Sequence, residues 1–135
     1  MAHVLVVDDV DVVRIAVGMI LEREGHTVEV ATDGREALSL VGVRPPDAVI
    51  TDLWMPHFDG LGLIRMLKAK FPGVAIIAMS GGSRRYDHES SLDQARAAGA
   101  CRLLMKPFGK QDLLDAVTKA IGIQRATATA PDTAS

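Results

Sequence analysis

The chain has 135 residues, of which 48% are hydrophobic and 24% charged, a composition typical of one globular domain with a single core. Its net charge of −2 gives no basic surface for DNA or RNA, and no apolar run approaches the roughly 18 residues that span a bilayer. The single cysteine, Cys101, excludes an internal disulfide, and no secretion signal precedes the first apolar run, so we expect a cytoplasmic protein.

Strand and helix signals alternate along the whole chain. Short apolar runs predict strands, and apolar residues at three- and four-residue spacing predict helices. The first half predicts a strand from His3 to Val7, a helix from Asp11 to Glu24 followed by Gly25, a strand from Thr27 to Ala31, a short helix opening at Asp33-Gly34, and a strand from Ala48 to Thr51. The second half predicts a helix capped by Asp59, a strand from Val74 to Met79, a helix from the capping box Ser90-x-x-Asp93 to Gly99, a strand from Cys101 to Met105, and a helix from about Gln111.

This alternation, with short connections, predicts a doubly wound α/β sheet of five parallel strands with five helices. In the first helix the spacing predicts one buried face, formed by Val12, Val13, Ala16, Met19 and Ile20. The segment from Gln124 to Ser135 lacks large apolar residues, so residues 1–123 are predicted to form the domain and 124–135 a disordered tail or linker.

Four of the predicted strands end in polar groups used in catalysis. Asp8-Asp9, Asp52, Ser80 and Lys106 follow the first, third, fourth and fifth strands. Ligands of parallel sheets bind outside the carboxyl ends of the strands, so these groups are expected to meet at one edge. Two like unit charges at about 4 Å repel by about 4 kcal/mol at an effective dielectric of 20, and a divalent cation would relieve this repulsion. A set of ligands made only of oxygen atoms suits Mg²⁺.

The same groups suit phosphoryl chemistry. Asp52 is a candidate nucleophile towards phosphorus, Lys106 and Ser80 can each contact a phosphoryl oxygen, and Gly81-Gly82 lets backbone N–H groups approach a phosphate. The pattern therefore predicts a site for a cation and a phosphoryl group.

Together, these motifs resemble the receiver domain of response regulators (the CheY-like superfamily of two-component signalling), over residues 1 to about 122. The resemblance implies a flavodoxin-like sheet in the order 2-1-3-4-5. It also implies that Asp52 is the phosphoacceptor, that Asp9 binds the metal directly, and that Asp8 binds it directly or through water. The Trp54 backbone carbonyl is the further implied ligand, for Mg²⁺ with Mn²⁺ as a substitute. Ser80 and Lys106, with the Gly81 backbone, are the implied phosphoryl-sensing groups.

The function implied by the resemblance is a stand-alone phosphorylation switch. A sensor histidine kinase or histidine phosphotransfer protein would donate the phosphoryl group. A downstream protein would bind the face of the fourth helix, fifth strand and fifth helix. The implied chain is a monomer or a phosphorylation-dependent dimer, with no nucleic acid or membrane partner. It is not an enzyme beyond its own phosphotransfer and slow autodephosphorylation.

Three positions depart from the family pattern or bear on the phosphoryl lifetime. Leu103 stands where the family has a Tyr or Phe switch residue, and it is expected to be either a core residue or a weaker switch. Trp54 is expected either to shield the acyl phosphate or to contact a partner. Gly82 offers no side chain to activate water.

Three alternatives remain open at this stage. The first is a pseudo-receiver that binds partners without phosphate. The second is a haloacid-dehalogenase-like phosphatase opening at Asp9-x-Asp11, although its second acidic pair would have to come from Asp112 and Asp115 on a predicted helix. The third is an FMN binder, whose cofactor phosphate the acidic edge would repel.

Overall fold

The computed structural model describes residues 1–55, 58–81 and 88–129, and of residues 54, 55, 58, 88–92 and 127–129 it describes only the backbone. The strands are β1 (His3–Val7), β2 (Thr27–Ala31), β3 (Ala48–Asp52), β4 (Trp54–Met55), β5 (Phe58–Asp59), β6 (Ala75–Ser80) and β7 (Arg102–Met105). The helices are α1 (Asp11–Arg23), α2 (Gly34–Val43), α3 (Gly60–Lys70), α4 (His88–Ala98) and α5 (Lys110–Thr129).

The main sheet has five parallel strands in the order β2-β1-β3-β6-β7. Without the short β4-β5 pair this is the order 2-1-3-4-5, so the predicted fold class is confirmed. The antiparallel β4-β5 pair, which joins Trp54 to Asp59 and Met55 to Phe58, was not predicted.

The core consists of two apolar clusters, one on each face of the sheet. Successive side chains of a strand point to opposite faces, so Leu5 and Val7 of β1 join one cluster, whereas Val4 and Val6 join the other. The first cluster packs against α2, α3 and α4, and the second against α1 and α5. The helices therefore cover both faces and leave the ends of the strands open for a site.

Local sequence signals account for several helix ends. Asp33 and Asp59 are the N-caps of α2 and α3, and their side chains accept hydrogen bonds from the Glu36 and Leu61 N–H groups. Gly25, with a φ of 91°, follows the end of α1, where a left-handed residue commonly stops a helix.

The predicted buried face of α1 is only partly right: Val13 and Ile20 are half-buried against the core, but the other three residues are exposed. Val12 and Met19 are 72% and 47% exposed, whereas Val17 and Leu21 are buried. Apolar residues surround this helix, so two faces satisfy the helical spacing. The face that packs is the one that reaches the sheet.

The predicted helix and tail bounds near the C-terminus also need correction. The helix α4 already includes His88, so Ser90 is not its N-cap. The helix α5 continues to Thr129, so residues 124–129 are helical rather than a disordered tail. Gln124 is 9% exposed and its Nε2 donates to the Pro72 carbonyl at 2.7 Å. This hydrogen bond anchors the additional turns of α5. Residues 130–135 lie outside the described part of the chain.

Candidate functional site

The candidate site lies at the carboxyl ends of four adjacent strands. Asp8 directly follows β1, Asp52 and Ser80 are the last residues of β3 and β6, and Lys106 directly follows β7. The parallel register brings these ends to one edge, as in the pairs Val7 with Thr51 and Ser80 with Met105. The sheet thus brings together the groups that the sequence analysis singled out.

Three carboxylates form a compact cluster at this edge. One oxygen each from Asp8, Asp9 and Asp52 lies within 4.8 Å of the other two. Asp8 is fully buried and Asp52 is 6% exposed, whereas Asp9 is exposed. Buried carboxylates at this separation repel strongly unless a cation lies among them. An oxygen-only set with one solvent-facing member fits Mg²⁺, which usually keeps several waters.

Lys106 links the two buried carboxylates. Its Nζ donates to Asp8 Oδ2 at 2.9 Å and to Asp52 Oδ2 at 3.4 Å. Burial by itself lowers the pKa of the Lys106 ammonium, but the hydrogen bond to Asp8 and the charges of both carboxylates outweigh burial. The net effect raises that pKa above its ordinary value of 10.5. The residue is therefore a cation that bridges two of the three acidic groups.

Asp8 is held at every polar atom. Its N–H donates to the Ala31 carbonyl at 3.2 Å, and its Oδ1 accepts from the Val10 N–H at 2.9 Å. Its carbonyl accepts from Arg14 Nη1 at 2.6 Å. The sequence analysis missed Arg14, and its only signal was a cation on the first turn of the helix after the acidic pair.

The backbone around Asp52 is packed against the start of α3. The Thr51 hydroxyl donates to the Asp52 carbonyl at 3.1 Å, and the Gly60 N–H donates to the Leu53 carbonyl at 3.2 Å. A Cβ atom on Gly60 would lie only 2.3 Å from the Asp52 carbonyl oxygen. The sequence analysis missed this glycine as well, although a glycine directly after a helix N-cap was a usable signal.

Ser80 and Gly81 border Lys106. Ser80 is 2% exposed, and its carbonyl accepts the Lys106 N–H at 2.8 Å. A Cβ atom on Gly81 would lie 3.9 Å from Lys106 Cδ, which is an ordinary contact. Gly81 therefore lies beside the Lys106 side chain, and a Cβ atom at this position would cause no steric clash.

The positions that depart from the family pattern are only partly described. Leu103 is half-buried and packs against the cluster under α2, α3 and α4. The Trp54 backbone belongs to β4, but its side chain lies outside the described part of the structure, as does Gly82.

Comparison with known proteins identifies relatives of this chain in sequence and in fold. The family model described as "Response regulator receiver domain" matches residues 4–118. The response regulator MprA of Mycolicibacterium vanbaalenii is 39% identical over 112 residues, which are 83% of this chain and 47% of that protein. The chain therefore spans about half the length of the curated relatives it matches.

Solved structures agree with the fold. The receiver domain of NtrX from Brucella abortus superposes with a TM-score of 0.82 at 30% identity, over 88% of this chain and 98% of that one. Chemotaxis protein CheY4 from Vibrio cholerae gives 0.79 at 30% identity, over 89% and 98%. In the described residues, no helix has the length and apolarity to cross a membrane.

The phosphatase alternative loses its support in this arrangement. Asp11, which its motif requires, lies on the first turn of α1 and pairs with Arg14. Asp112 and Asp115 lie on α5, and neither belongs to the carboxylate cluster of Asp8, Asp9 and Asp52. The family match, in contrast, includes every polar strand end described above.

Proposed function

The chain belongs to the response regulator receiver domain family of two-component systems, and we propose that it is a switch driven by phosphorylation of Asp52. The observation that carries the proposal is the cluster of Asp8, Asp9 and Asp52 with Lys106 bridging two of its members. Structural carboxylates that only cap helices would not need to share a cation.

In the proposed reaction, an Asp52 carboxylate oxygen attacks the phosphorus of a phosphohistidine. The new O–P bond forms as the P–N bond breaks, and the departing imidazole nitrogen takes up a proton. Mg²⁺, held by Asp8, Asp9, Asp52 and the Trp54 backbone carbonyl, would neutralise charge on the phosphoryl oxygens. Mn²⁺ is the expected substitute.

Lys106 and Ser80 have the proposed role of sensing the product. Lys106 Nζ is 3.4 Å from Asp52 Oδ2, so a short side-chain movement carries it to a phosphoryl oxygen on that carboxylate. Ser80 ends the adjacent strand, and its hydroxyl is the proposed donor to another oxygen, with the Gly81 N–H beside it.

The proposed output surface is the face formed by α4, β7 and α5. A groove of about 330 Å³ runs between β7 and α5, with Leu103 in its lining beside Arg102, Asp115 and Lys119. A rearrangement near Lys106 reaches this groove through β7. We propose that a downstream protein reads this face, that a sensor histidine kinase or phosphotransfer protein supplies the phosphoryl group, and that both meet the chain in the cytoplasm.

The test is intact mass after incubation with acetyl phosphate and Mg²⁺. Wild type and Asp93→Asn, which changes an exposed carboxylate on α4, are expected to gain one phosphoryl group. Asp52→Asn is expected to gain none. A folded wild type without any mass gain would contradict the proposal and favour a phosphate-independent binding module.

A further inference from the structure

The side chain of Arg14 joins the two ends of the loop that carries the acidic pair. Its Nη1 donates to the Asp8 carbonyl at 2.6 Å, and its Nη2 pairs with the Asp11 carboxylate. Only Asp9 and Val10 lie between these two anchors. The Arg14 side chain is 13% exposed, so protein atoms rather than bulk water provide most of its surroundings.

The loop needs such a support because α1 lacks the usual one. The N-cap residue of α1 is Val10, which has no side-chain oxygen to hold the first turn. Asp8 Oδ1 accepts the Val10 N–H, and Asp8 Oδ2 is engaged by Lys106. Both oxygens of the Asp8 carboxylate are therefore engaged, one by the loop backbone and one by Lys106, and the Arg14 guanidinium holds the Asp8 carbonyl in addition.

We propose that Arg14 is a positioning residue for the cation site, acting through the Asp8 backbone and the loop that presents Asp9. This inference rests on the proposed function, because it concerns the metal that the phosphorylation reaction uses. By fixing the loop at both ends, Arg14 holds the exposed Asp9 carboxylate within reach of Asp8 and Asp52 before a cation arrives.

A positioning role and a simple charge effect predict opposite results. A positive charge near three carboxylates repels a divalent cation, so its removal should tighten Mg²⁺ binding if charge alone matters. If Arg14 positions the loop, its removal should weaken Mg²⁺ binding, since partners behind metal ligands typically change affinity by about 10- to 100-fold. The direction of the change thus separates the two explanations.

The experiment is a Mg²⁺ titration of the unphosphorylated chain, followed by amide chemical shifts in NMR spectra that also report folding. Arg14→Met is expected to raise the Mg²⁺ dissociation constant by about tenfold. The matched control is Arg23→Met, which removes the same group from the exposed last turn of α1 and is expected to leave the constant unchanged. Arg14→Lys keeps the positive charge and most of the aliphatic side chain, so this second variant is expected to fold even if Arg14→Met does not.

An ammonium cannot span two anchors as a guanidinium can, so Arg14→Lys is expected to remain weakened at least about threefold. In acetyl phosphate reactions, both Arg14 variants should need more Mg²⁺ for half-maximal rate but reach nearly the wild-type rate at saturation. Unchanged or tighter Mg²⁺ binding in Arg14→Met would overturn the inference, as would full affinity in Arg14→Lys. A wild type that binds no Mg²⁺ would overturn the proposed function itself.

Discussion

The first helical residue of α3 has no room for a side chain, and Gly60→Ala tests this directly. The added Cβ would lie 2.3 Å from the Asp52 carbonyl oxygen and 2.7 Å from both Cα and the carbonyl oxygen of Leu53. All three are backbone atoms, so no side-chain rotation can relieve the contact. Separating Cβ from the Asp52 oxygen to 3.0 Å requires a displacement of about 0.7 Å.

This displacement is expected to lower both the stability of the fold and the rate of phosphorylation. Forcing one extra carbon into a packed site typically lowers the free energy of unfolding by about 1–3 kcal/mol, and we expect about 2 kcal/mol here. A shift of about 1 Å in a reacting group can slow a reaction by about 100-fold, so the smaller shift of Asp52 should slow phosphorylation at least about tenfold.

The assay compares urea unfolding and acetyl phosphate labelling with a second glycine variant. Gly122 lies within α5, and an added Cβ there would have no described atom of another element within 4 Å. Gly122→Ala should therefore raise the free energy of unfolding by about 0.5–1 kcal/mol through helix propensity alone. Equal stability of Gly60→Ala and wild type, or a gain like that of Gly122→Ala, would refute the reasoning.

Two further substitutions test contacts that join distant parts of the chain. Lys106→Met leaves the buried Asp8 carboxylate without its 2.9 Å partner, so the free energy of unfolding in EDTA should fall by about 3 kcal/mol. The loss of free energy of unfolding should be smaller in Mg²⁺. Urea titrations with and without the cation measure both losses, and equal losses would contradict this expectation. Gln124→Ala removes the hydrogen bond to the Pro72 carbonyl and should lower the free energy of unfolding by about 1–2 kcal/mol. Gln111→Ala, which removes an exposed pair with a neighbouring helical carboxylate, should cost less than about 0.5 kcal/mol, and equal losses in the two variants would argue against the anchoring of α5.

Local patterns in the sequence were sufficient to predict the five strands of the main sheet, most helix ends and the meeting of the acidic groups. A parallel strand buried on both faces must be apolar throughout, so its carboxyl end is visible where the run stops at Asp8 or Asp52. N-caps such as Asp33 and Asp59 act within three residues of themselves, and local sequence therefore reveals them.

Where the local sequence allowed more than one structure, tertiary packing determined which one formed. Apolar residues surround α1, and only contact with the sheet selects Val17 and Leu21 over Val12 and Met19. The polar composition of the segment after residue 123 suggested disorder. Its helix is held by a hydrogen bond from Gln124 to a residue 52 positions earlier, which no local pattern contains.

The sequence by itself determined which chemical groups line the sheet edge, because each group follows directly from a local pattern. Only the tertiary structure decided how those groups are held. The Lys106 ammonium bridges Asp8, 98 positions away, and Asp52, 54 positions away. Gly60 is required by the backbone of a neighbouring element, and Arg14 holds a carbonyl that carries no sequence signal of its own. Such contacts depend on the distances between elements, and the packing of helices on both faces of the sheet sets those distances.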